Sequence, residues 1–460
     1  MPYRALEPDE IVYLRDIVSP DRFSTGESHL ELHARDQSHH GPYRPSGVVW
    51  PLNADEVSRI LSYCNTRRIP VTAWGAGSSL EGNPLPVHGG LVMNMSRMNR
   101  ILDIRPKDFQ ADVEPGVVYQ DLNERLRPEG LFFPPDPGAR ATIGGMTANN
   151  SAGTRTVRYG ATRDYILQLE LVLADGEIIN AGSRSAKTSS GYDLVDLFVG
   201  SEGTLGVVTR ATVRLAGAPE EDSAALVSFN DMVNAAQTVF EIMRTGLAPA
   251  AMELIDQSCV ALLNREEHLG LADSPCLIME FHGPSRAYLG EVLDLAREIA
   301  EAHGGGGFTA GLGRAERDRL WHARHKLGEI IIRTNPGAPP LSLDVAMPIS
   351  HLPEVIASAA REVATSGLPG YIFGHAGDGN LHVVFCGREG NHDDWSAIER
   401  VNTMIVKQVL DLGGTATGEH GVGLGKRKFM DQEHGASLAW MKRIKYLFDP
   451  NGVLNPGKIF

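Results

Sequence analysis

Cysteine is scarce in this sequence of 460 residues. The chain has only Cys64, Cys259, Cys276 and Cys386, which lie far apart and form no C-x-x-C pair. This scatter argues against an iron–sulfur cluster held by the chain alone and against structural disulfides. We therefore expect a reducing compartment, and we place the protein in the cytoplasm.

Long apolar runs are absent as well. No run of about 18 apolar residues exists, so we expect no transmembrane segment. The N-terminal residues are too acidic for a transit peptide and lack the apolar core of a secretory signal. Peripheral membrane association stays open, because the short basic runs Lys426–Lys428 and Lys442–Lys445 suit lipid headgroups or an acidic protein as well as water.

Positive charge is also in short supply. Lys and Arg number 43 against 57 Asp and Glu, which gives a formal net charge of −14. A protein that binds the phosphate backbone of a nucleic acid normally carries a basic surface, so we expect no nucleic-acid partner. The length indicates two or three domains.

Glycine, in contrast, is abundant, with 50 residues, many of them clustered. Clustered small residues allow a flat ring and a pyrophosphate to approach the main chain. Neither the G-x-G-x-x-G dinucleotide fingerprint nor a P-loop is present, so each cluster alone is equally compatible with an ordinary turn. The clusters in the first half are Trp74–Gly82, Pro134–Gly153, Arg158–Asp164 and Leu197–Thr209.

Hydrophobic patterning divides the chain into parts. A strand, a helix beginning at Asn53 and a second strand precede the first glycine cluster, and a hairpin is predicted at Ile166–Gly182. Ala216–Asp222 has the character of a linker. Beyond it, strands alternate with amphipathic helices, which predicts an antiparallel sheet with helices on one face.

Two histidines seven residues apart, His375 and His382, flank Gly377-Asp378-Gly379. On a continuous strand they would face opposite sides, and on a helix they would lie about 10.5 Å apart. They could share an ion only if the chain bends at the glycines. Glu419 then offers a third ligand suited to Zn²⁺, Mn²⁺ or Fe²⁺, and His420 is a candidate general base. Ordinary hydrogen-bonded histidines are the simpler alternative.

The glycine clusters together resemble the flavin domain of the vanillyl-alcohol oxidase / p-cresol methylhydroxylase superfamily. The matching stretches agree with that domain in order and spacing, and they are Pro70–Gly82, Glu114–Val117, Asp136–Met146, Arg158–Asp164 and Leu197–Gly206. The resemblance implies FAD, bound non-covalently because residues 74–83 contain no histidine. It implies cofactor contacts at Gly75, Ala76, Gly77, Ser78, Ser79, Pro137, Gly138, Gly144, Gly145, Met146, Asn149, Ser151, Glu202, Gly203, Gly206, Val207 and Asn455.

The second half is similar to the FAD-linked D-2-hydroxy acid dehydrogenase branch of that superfamily. Gly374–His382, Thr417–Gly423 and Phe448–Lys458 match it. This implies one divalent metal, with ligands His375, His382 and Glu419. It also implies that His420 removes the proton of the substrate hydroxyl and that Arg324 binds the substrate carboxylate through two parallel hydrogen bonds.

The resemblance also predicts the fold, an α+β architecture in four parts. A helical segment at 1–41 precedes an FAD-binding domain of p-cresol methylhydroxylase type at 42–219. A ferredoxin-like antiparallel-sheet substrate (cap) domain follows at 220–415. The C-terminal segment at 416–460 completes the active site and returns to the FAD domain.

Two positions bear on the substrate. Ser342 and Val384 stand where 2-hydroxyglutarate dehydrogenases have a lysine and an asparagine. Burying an unpaired second carboxylate is costly, so we expect a small or apolar D-2-hydroxy acid such as D-lactate. Glycolate, with an iron–sulfur partner chain, and D-2-hydroxyglutarate are the alternatives.

Other functions and partners stay open. The electron acceptor is a cytochrome, a quinone or an electron-transfer flavoprotein, and the sequence does not choose among them or decide whether the chain forms a homodimer. A metallohydrolase without flavin would leave the glycine clusters unexplained. A flavin-binding scaffold without catalysis is a third class of function.

Overall fold

The computed structural model describes Tyr3, Arg4, residues 6–311 and residues 314–460, with side chains described except at 314–317. Met1, Pro2 and Ala5 of the predicted N-terminal segment lie outside the described residues. The helices are α1 Pro8–Val18, α2 Glu27–Leu32, α3 Ala54–Arg67, α4 Tyr119–Leu126, α5 Ile143–Asn149, α6 Thr156–Tyr159, α7 Leu194–Phe198, α8 Met232–Arg244, α9 Gln257–Glu267, α10 Arg286–Ala302, α11 Arg314–His325, α12 Leu327–Thr334, α13 Leu352–Ser366, α14 His392–Asp411, α15 Met430–His434 and α16 Ser437–Phe448.

The strands follow the same chain order. They are β1 Phe23–Ser24, β2 Gly47–Val49, β3 Val71–Trp74, β4 Leu91–Asn94, β5 Ile101–Arg105, β6 Gln110–Val113, β7 Leu131–Phe132, β8 Ile166–Val172, β9 Ile178–Gly182, β10 Val207–Arg214, β11 Ala216–Gly217, β12 Glu221–Ser228, β13 Ala251–Ile255, β14 Cys276–Gly283, β15 Gly306–Ala310, β16 Pro340–Ala346, β17 Gly370–His375 and β18 Asn380–Cys386.

The chain folds into two compact units. The first unit comprises Met1–Ser151, Ala161–Ala218 and Glu419–Phe460, and the second comprises Ala152–Gly160 and Pro219–Gly418. The short segment Ala152–Gly160, which the sequence assigns to the FAD-binding domain, belongs to the second unit. The Tyr159 hydroxyl explains this placement, because it hydrogen-bonds to His282 Nδ1 at 2.7 Å within that unit.

The first unit contains two main sheets. One has the order β1-β2-β4-β3, with β2, β4 and β3 parallel, and the other is antiparallel with the order β5-β6-β10-β8-β9. Helix α3 connects β2 to β3 and begins as predicted, because the Asn53 side chain accepts from the Glu56 N–H at 2.9 Å. The Glu56 carboxylate does not complete a capping box; it binds the Leu52 N–H and Arg22.

The end of the chain completes the first unit. The Val71 N–H donates to Val453 O and the Asn455 N–H donates to Val71 O, both at 2.8 Å, so this segment lies beside β3. Val453 and Leu454 are buried in the core that α1, α3 and β3 share. The predicted return of the C-terminal tail to this domain is confirmed.

The second unit is built on one sheet with the order β15-β12-β14-β13-β17-β18-β16. Every neighbouring pair is antiparallel, as predicted. Helices cover both faces, whereas we expected them on one. One core cluster joins α9, α11 and α12 to alternate residues of the central strands, including Ala251 and Ile255 of β13. The intervening residues of the alternation, Met252 and Leu254 in β13, face the opposite side, where α8, α10 and α13 contact the sheet.

The chain turns sharply between the two predicted metal histidines. β17 ends at His375, a 3₁₀ turn spans Ala376–Asp378, and Gly379 has a φ of +78° before β18 begins. A side chain at Gly379 would collide with the carbonyl of Met347. The bend therefore requires glycine, and it places both histidines on adjacent strands.

Within the described part of the chain, no helix combines the length and the apolar character needed to cross a membrane.

Candidate active site

A groove in the first unit gathers most of the predicted cofactor residues. The space inside it is about 1030 Å³, part of it open to solvent. Glu419 and His420, which the sequence assigned to other roles, also line it. The predicted cofactor residues in its wall are Gly75, Ala76, Gly77, Ser78, Ser79, Pro137, Gly145, Met146, Asn149, Ser151, Glu202, Gly203 and Asn455.

The remaining predicted cofactor residues lie elsewhere. Gly144, Gly206 and Val207 line a smaller cavity that shares Gly75 and Gly145 with the groove. Gly138 is found in the lining of neither. The groove also has wall residues that were not predicted as cofactor contacts: Gln37, Leu80, Asn83, Pro84, Ala139 and Thr142. Gln37, Asn83 and Pro84 lie outside the matched motifs, whereas the other three lie inside them at positions to which the resemblance assigned no contact.

The first glycine loop fits a pyrophosphate. It follows β3 directly, and a side chain at Gly75 would come within 2.6 Å of Thr142 Oγ1. Among the described residues, the backbone N–H groups of residues 76–80 have no hydrogen-bond acceptor. Consecutive N–H donors on a glycine-rich loop are suited to phosphate oxygens. The residues present therefore fit the FAD that the sequence predicts.

Glu202 and Asn455 hold the groove wall together. The buried Glu202 carboxylate accepts from the N–H groups of Val422 at 2.6 Å and Gly423 at 3.0 Å. Burial raises the pKa of Glu202, and these donors act in the opposite direction. Asn455 Nδ2 donates to Glu202 O at 2.7 Å and to Asn83 O at 2.9 Å. These bonds fix the loop that begins with Glu419 and His420.

In the second unit, the strand register pairs each predicted metal histidine with a buried carboxylate. Glu253 of β13 lies opposite His375, and Asp344 of β16 lies opposite His382. His375 Nδ1 is 2.5 Å from Glu253 Oε1, and His382 Nδ1 is 3.5 Å from Asp344 Oδ1. The centres of the two imidazole rings are 5.3 Å apart. For His375, the hydrogen bond of Nδ1 to Glu253 favours the tautomer whose Nε2 carries a lone pair, which is the form that a metal ligand needs.

Arg324 shares the carboxylate of Glu253. Its Nη2 is 2.5 Å from Glu253 Oε2, its guanidinium stands 4.8 Å from the ring centre of Phe373, and the residue is only 6% exposed. Burial by itself raises the pKa of Glu253, but the charges of Arg324 and His375 overcome it and hold the pKa below its usual value. Among the described residues, the buried Arg324 Nε–H has no hydrogen-bond acceptor. Arg324 therefore retains donors for an anionic ligand.

The chain leads from this cluster directly to Glu419. Thr417 Oγ1 donates to Asp344 Oδ2 at 3.0 Å, and a side chain at Gly418 would come within 3.0 Å of Asp344 Oδ1. Glu419 is the next residue, so its Cα follows that of Gly418 by about 3.8 Å along the chain. Imidazole nitrogens and a carboxylate are the donor types that suit Zn²⁺, Mn²⁺ or Fe²⁺.

Glu253 is a further functional candidate that sequence reasoning missed. It lies within "AMELI", where every other residue is apolar, and it is fully buried. A single acid in an apolar strand is a usable signal, because a buried charge requires a partner. Its partners His375 and Arg324 are remote in sequence, so no local motif identifies them.

Known proteins resemble this chain along its whole length. An FAD-binding domain matches residues 45–182, and the C-terminal domain of FAD-linked oxidases matches residues 218–459. A probable mitochondrial D-lactate dehydrogenase of Danio rerio is 38% identical over 97% of this chain and 90% of its own length. The glycolate oxidase subunit GlcD of Bacillus subtilis is 36% identical over 97% and 96%. A structure of p-cresol methylhydroxylase shares the fold, with a TM-score of 0.80 at 16% identity over 100% and 98%.

Proposed function

Since this chain belongs to the FAD-linked oxidases, in the D-2-hydroxy acid dehydrogenase branch of the vanillyl-alcohol oxidase / p-cresol methylhydroxylase superfamily, we propose that it oxidises D-lactate to pyruvate with FAD and a divalent metal. Its relatives establish it as an FAD-linked oxidoreductase acting on hydroxy acids. The D-lactate preference and the metal are the proposed refinements.

The observation that carries the proposal is the buried arginine. The Arg324 guanidinium pairs with the carboxylate of Glu253, which also contacts His375. Among the described residues, no acceptor lies within hydrogen-bond distance of the Arg324 Nε–H. A planar guanidinium binds a carboxylate through two parallel hydrogen bonds. Arg324 therefore binds the substrate carboxylate, and Glu253 holds the guanidinium in place.

His375, His382 and Glu419 hold the metal in this proposal. Glu253 holds the imidazole of His375 at Nδ1, which would leave the Nε2 lone pair of that ring available to a metal. A divalent metal bound there would lower the pKa of a coordinated substrate hydroxyl. The chain's contribution is to bind and orient the acid.

His420 accepts the hydroxyl proton. It lines the groove, its side chain is only 11% exposed, and the loop that carries it is held by Glu202. A partly enclosed imidazole is the usual general base near neutral pH. FAD bound in the groove would supply the hydride acceptor, and its electrons would pass to an external acceptor, which is a cytochrome, a quinone or an electron-transfer flavoprotein.

Ser342 and Val384 favour a small substrate. They are directly opposite each other on β16 and β18, two residues along from Asp344 and His382 on the same face of the sheet. Val384 is buried in the apolar core beside Phe373 and offers no group to a second carboxylate. This supports D-lactate over D-2-hydroxyglutarate. Glycolate is the second candidate, because one relative is a glycolate oxidase subunit.

Anaerobic stopped-flow spectroscopy tests the proposal. D-lactate should bleach the flavin absorbance rapidly, while L-lactate and D-2-hydroxyglutarate should not. Prior treatment with a chelator should slow the bleaching and leave the FAD bound. Failure of every D-2-hydroxy acid to bleach the flavin would contradict the proposal, and faster bleaching by glycolate would establish the second candidate.

The role of His420 requires its own variant. His420→Ala should retain FAD absorbance and lose flavin reduction by about two to four orders of magnitude, the usual contribution of a general base. His434→Ala, in α15 of the same unit, is the matched control and should reduce normally. Fast reduction in His420→Ala would remove His420 from the base role.

A further inference from the structure

Helix α16 presents large apolar side chains to solvent. Trp440 is 63% exposed, Tyr446 68% and Leu447 76%. Single exposed apolar residues are ordinary, but three on a helix of 12 residues form a patch that calls for a ligand or a partner.

The same face of α16 is basic. At 100° per residue, Arg443 falls among the three apolar side chains, and Lys442 lies about 40° beyond Tyr446 at the edge of the exposed arc. The Arg443 guanidinium lies 4.4 Å from the ring centre of Trp440. The helix contains no Asp or Glu, although the chain as a whole carries a net charge of −14. This local reversal of charge is complementary to an anionic surface.

The inner face of α16 is fixed to the first unit. Leu438 is buried, and the Phe448 ring packs on Phe198 at 5.3 Å. Lys445 turns inward, where its Nζ donates to Thr204 O at 2.7 Å and to Leu454 O at 2.8 Å. The exposed face therefore belongs to a well-anchored helix.

We propose that the exposed face of α16 binds the anionic surface of a lipid bilayer. Trp and Tyr prefer the headgroup region, and Lys and Arg between them pair with anionic lipids. A second copy of the chain is a poorer occupant, because symmetric packing of this face would oppose cations to cations and bring no acid. An acidic protein would satisfy the charges, but a single convex helix offers no pocket for its side chains.

Vesicle flotation of the FAD-loaded protein tests this inference. The protein should float with vesicles that contain phosphatidylglycerol and remain unbound with pure phosphatidylcholine. The variant Trp440→Ser/Leu447→Ser should lose binding at least tenfold, and Lys442→Glu/Arg443→Glu should lose it as well. Tyr192→Ser, which removes an aromatic side chain that is 97% exposed outside α16, is the matched control and should bind like the parent.

The possible results of this experiment distinguish a lipid bilayer from the other candidate partners of the exposed face of α16. Absence of flotation with anionic vesicles overturns the inference. Equal loss of binding in Tyr192→Ser would show an unspecific apolar effect and overturn it too. If light scattering shows a dimer that only the α16 variants disrupt, a second copy covers the face instead. Flavin absorbance of each variant verifies folding. The inference does not depend on which acid the enzyme oxidises.

Discussion

At the scale of single residues, Glu253 links the proposed metal ligand His375 to the proposed substrate-binding residue Arg324, which the sequence identifies only as separate candidates. Its two carboxylate oxygens face His375 and Arg324, each at 2.5 Å. One acid thus orients a proposed metal ligand and a proposed substrate-binding group. The histidines and the arginine could be selected from the sequence by motif, but Glu253 could not, since its partners meet only once the register of β13 and β17 is set.

Replacing Glu253 tests this joint role. Glu253→Gln should reduce the affinity for metal about 10- to 100-fold, because the imidazole of His375 loses its charged hydrogen-bond partner. It should also destabilise the second unit by about 3–5 kcal/mol, because the buried Arg324 is left without a counter-ion. Metal content by mass spectrometry and urea unfolding are the measurements. Glu354→Gln, on the exposed start of α13, is the control, and unchanged metal affinity in Glu253→Gln would contradict the role.

At the scale of elements, the sequence predicted those with clear periodicity or caps. The strand before α3 and the hairpin at β8–β9 lie where the pattern placed them, and the long helices α8, α10 and α13 belong to the predicted alternation of strands and amphipathic helices. Helix α5 was not predicted, because its Gly-Gly pair and small residues have low helix propensity and tertiary packing decides their conformation. Helix α9 was also missed, although Asp256 marks its start.

Asp256 ties α9 to the sheet and should make stability depend on pH. Its carboxylate accepts from Cys259 N at 2.7 Å and from Ile372 N at 3.1 Å, and burial raises its pKa to about 6. The folded state thus keeps a proton that the unfolded state releases above about pH 4, so stability falls as the pH rises from about 4 to 6.

The variant Asp256→Asn removes this titration and retains a side-chain acceptor. The difference in unfolding free energy between the variant and the parent should shift by about 3 kcal/mol in favour of the variant from pH 4 to pH 7. This is the equivalent of about two pKa units. Urea denaturation at the two pH values measures the gain. A constant difference between variant and parent would show that the carboxyl group does not titrate in this range.

At the scale of the whole molecule, the chain passes between the units at 151/152, 160/161, 218/219 and 418/419. The superfamily resemblance led to the correct fold, and the composition of Ala216–Asp222 predicted a linker there. The resemblance could not predict that Ala152–Gly160 belongs to the second unit. The hydrogen bond of Tyr159 to His282, which holds the segment there, joins residues 123 positions apart. Contacts of this range leave no periodic signature in the sequence.

The tail supplies a test at the same scale. Deletion of residues 449–460 should abolish FAD binding, because it removes the backbone bonds to Val71 and the Asn455 amide that joins Asn83 to Glu202. Asn455→Ala should weaken FAD retention without abolishing folding. Gel filtration with the ratio of flavin to protein absorbance measures both. Full FAD content in the deletion would show that the groove forms without the tail.

The position of that tail has a consequence for biosynthesis. Asn455 bonds to Asn83 across 372 positions, so the wall of the groove joins segments that are synthesised far apart in time. A nascent chain can form β3 and the first glycine loop early, but it cannot close this part of the groove until Asn455 has left the ribosome. We expect ribosome-stalled chains that end before Asn455 to be colourless.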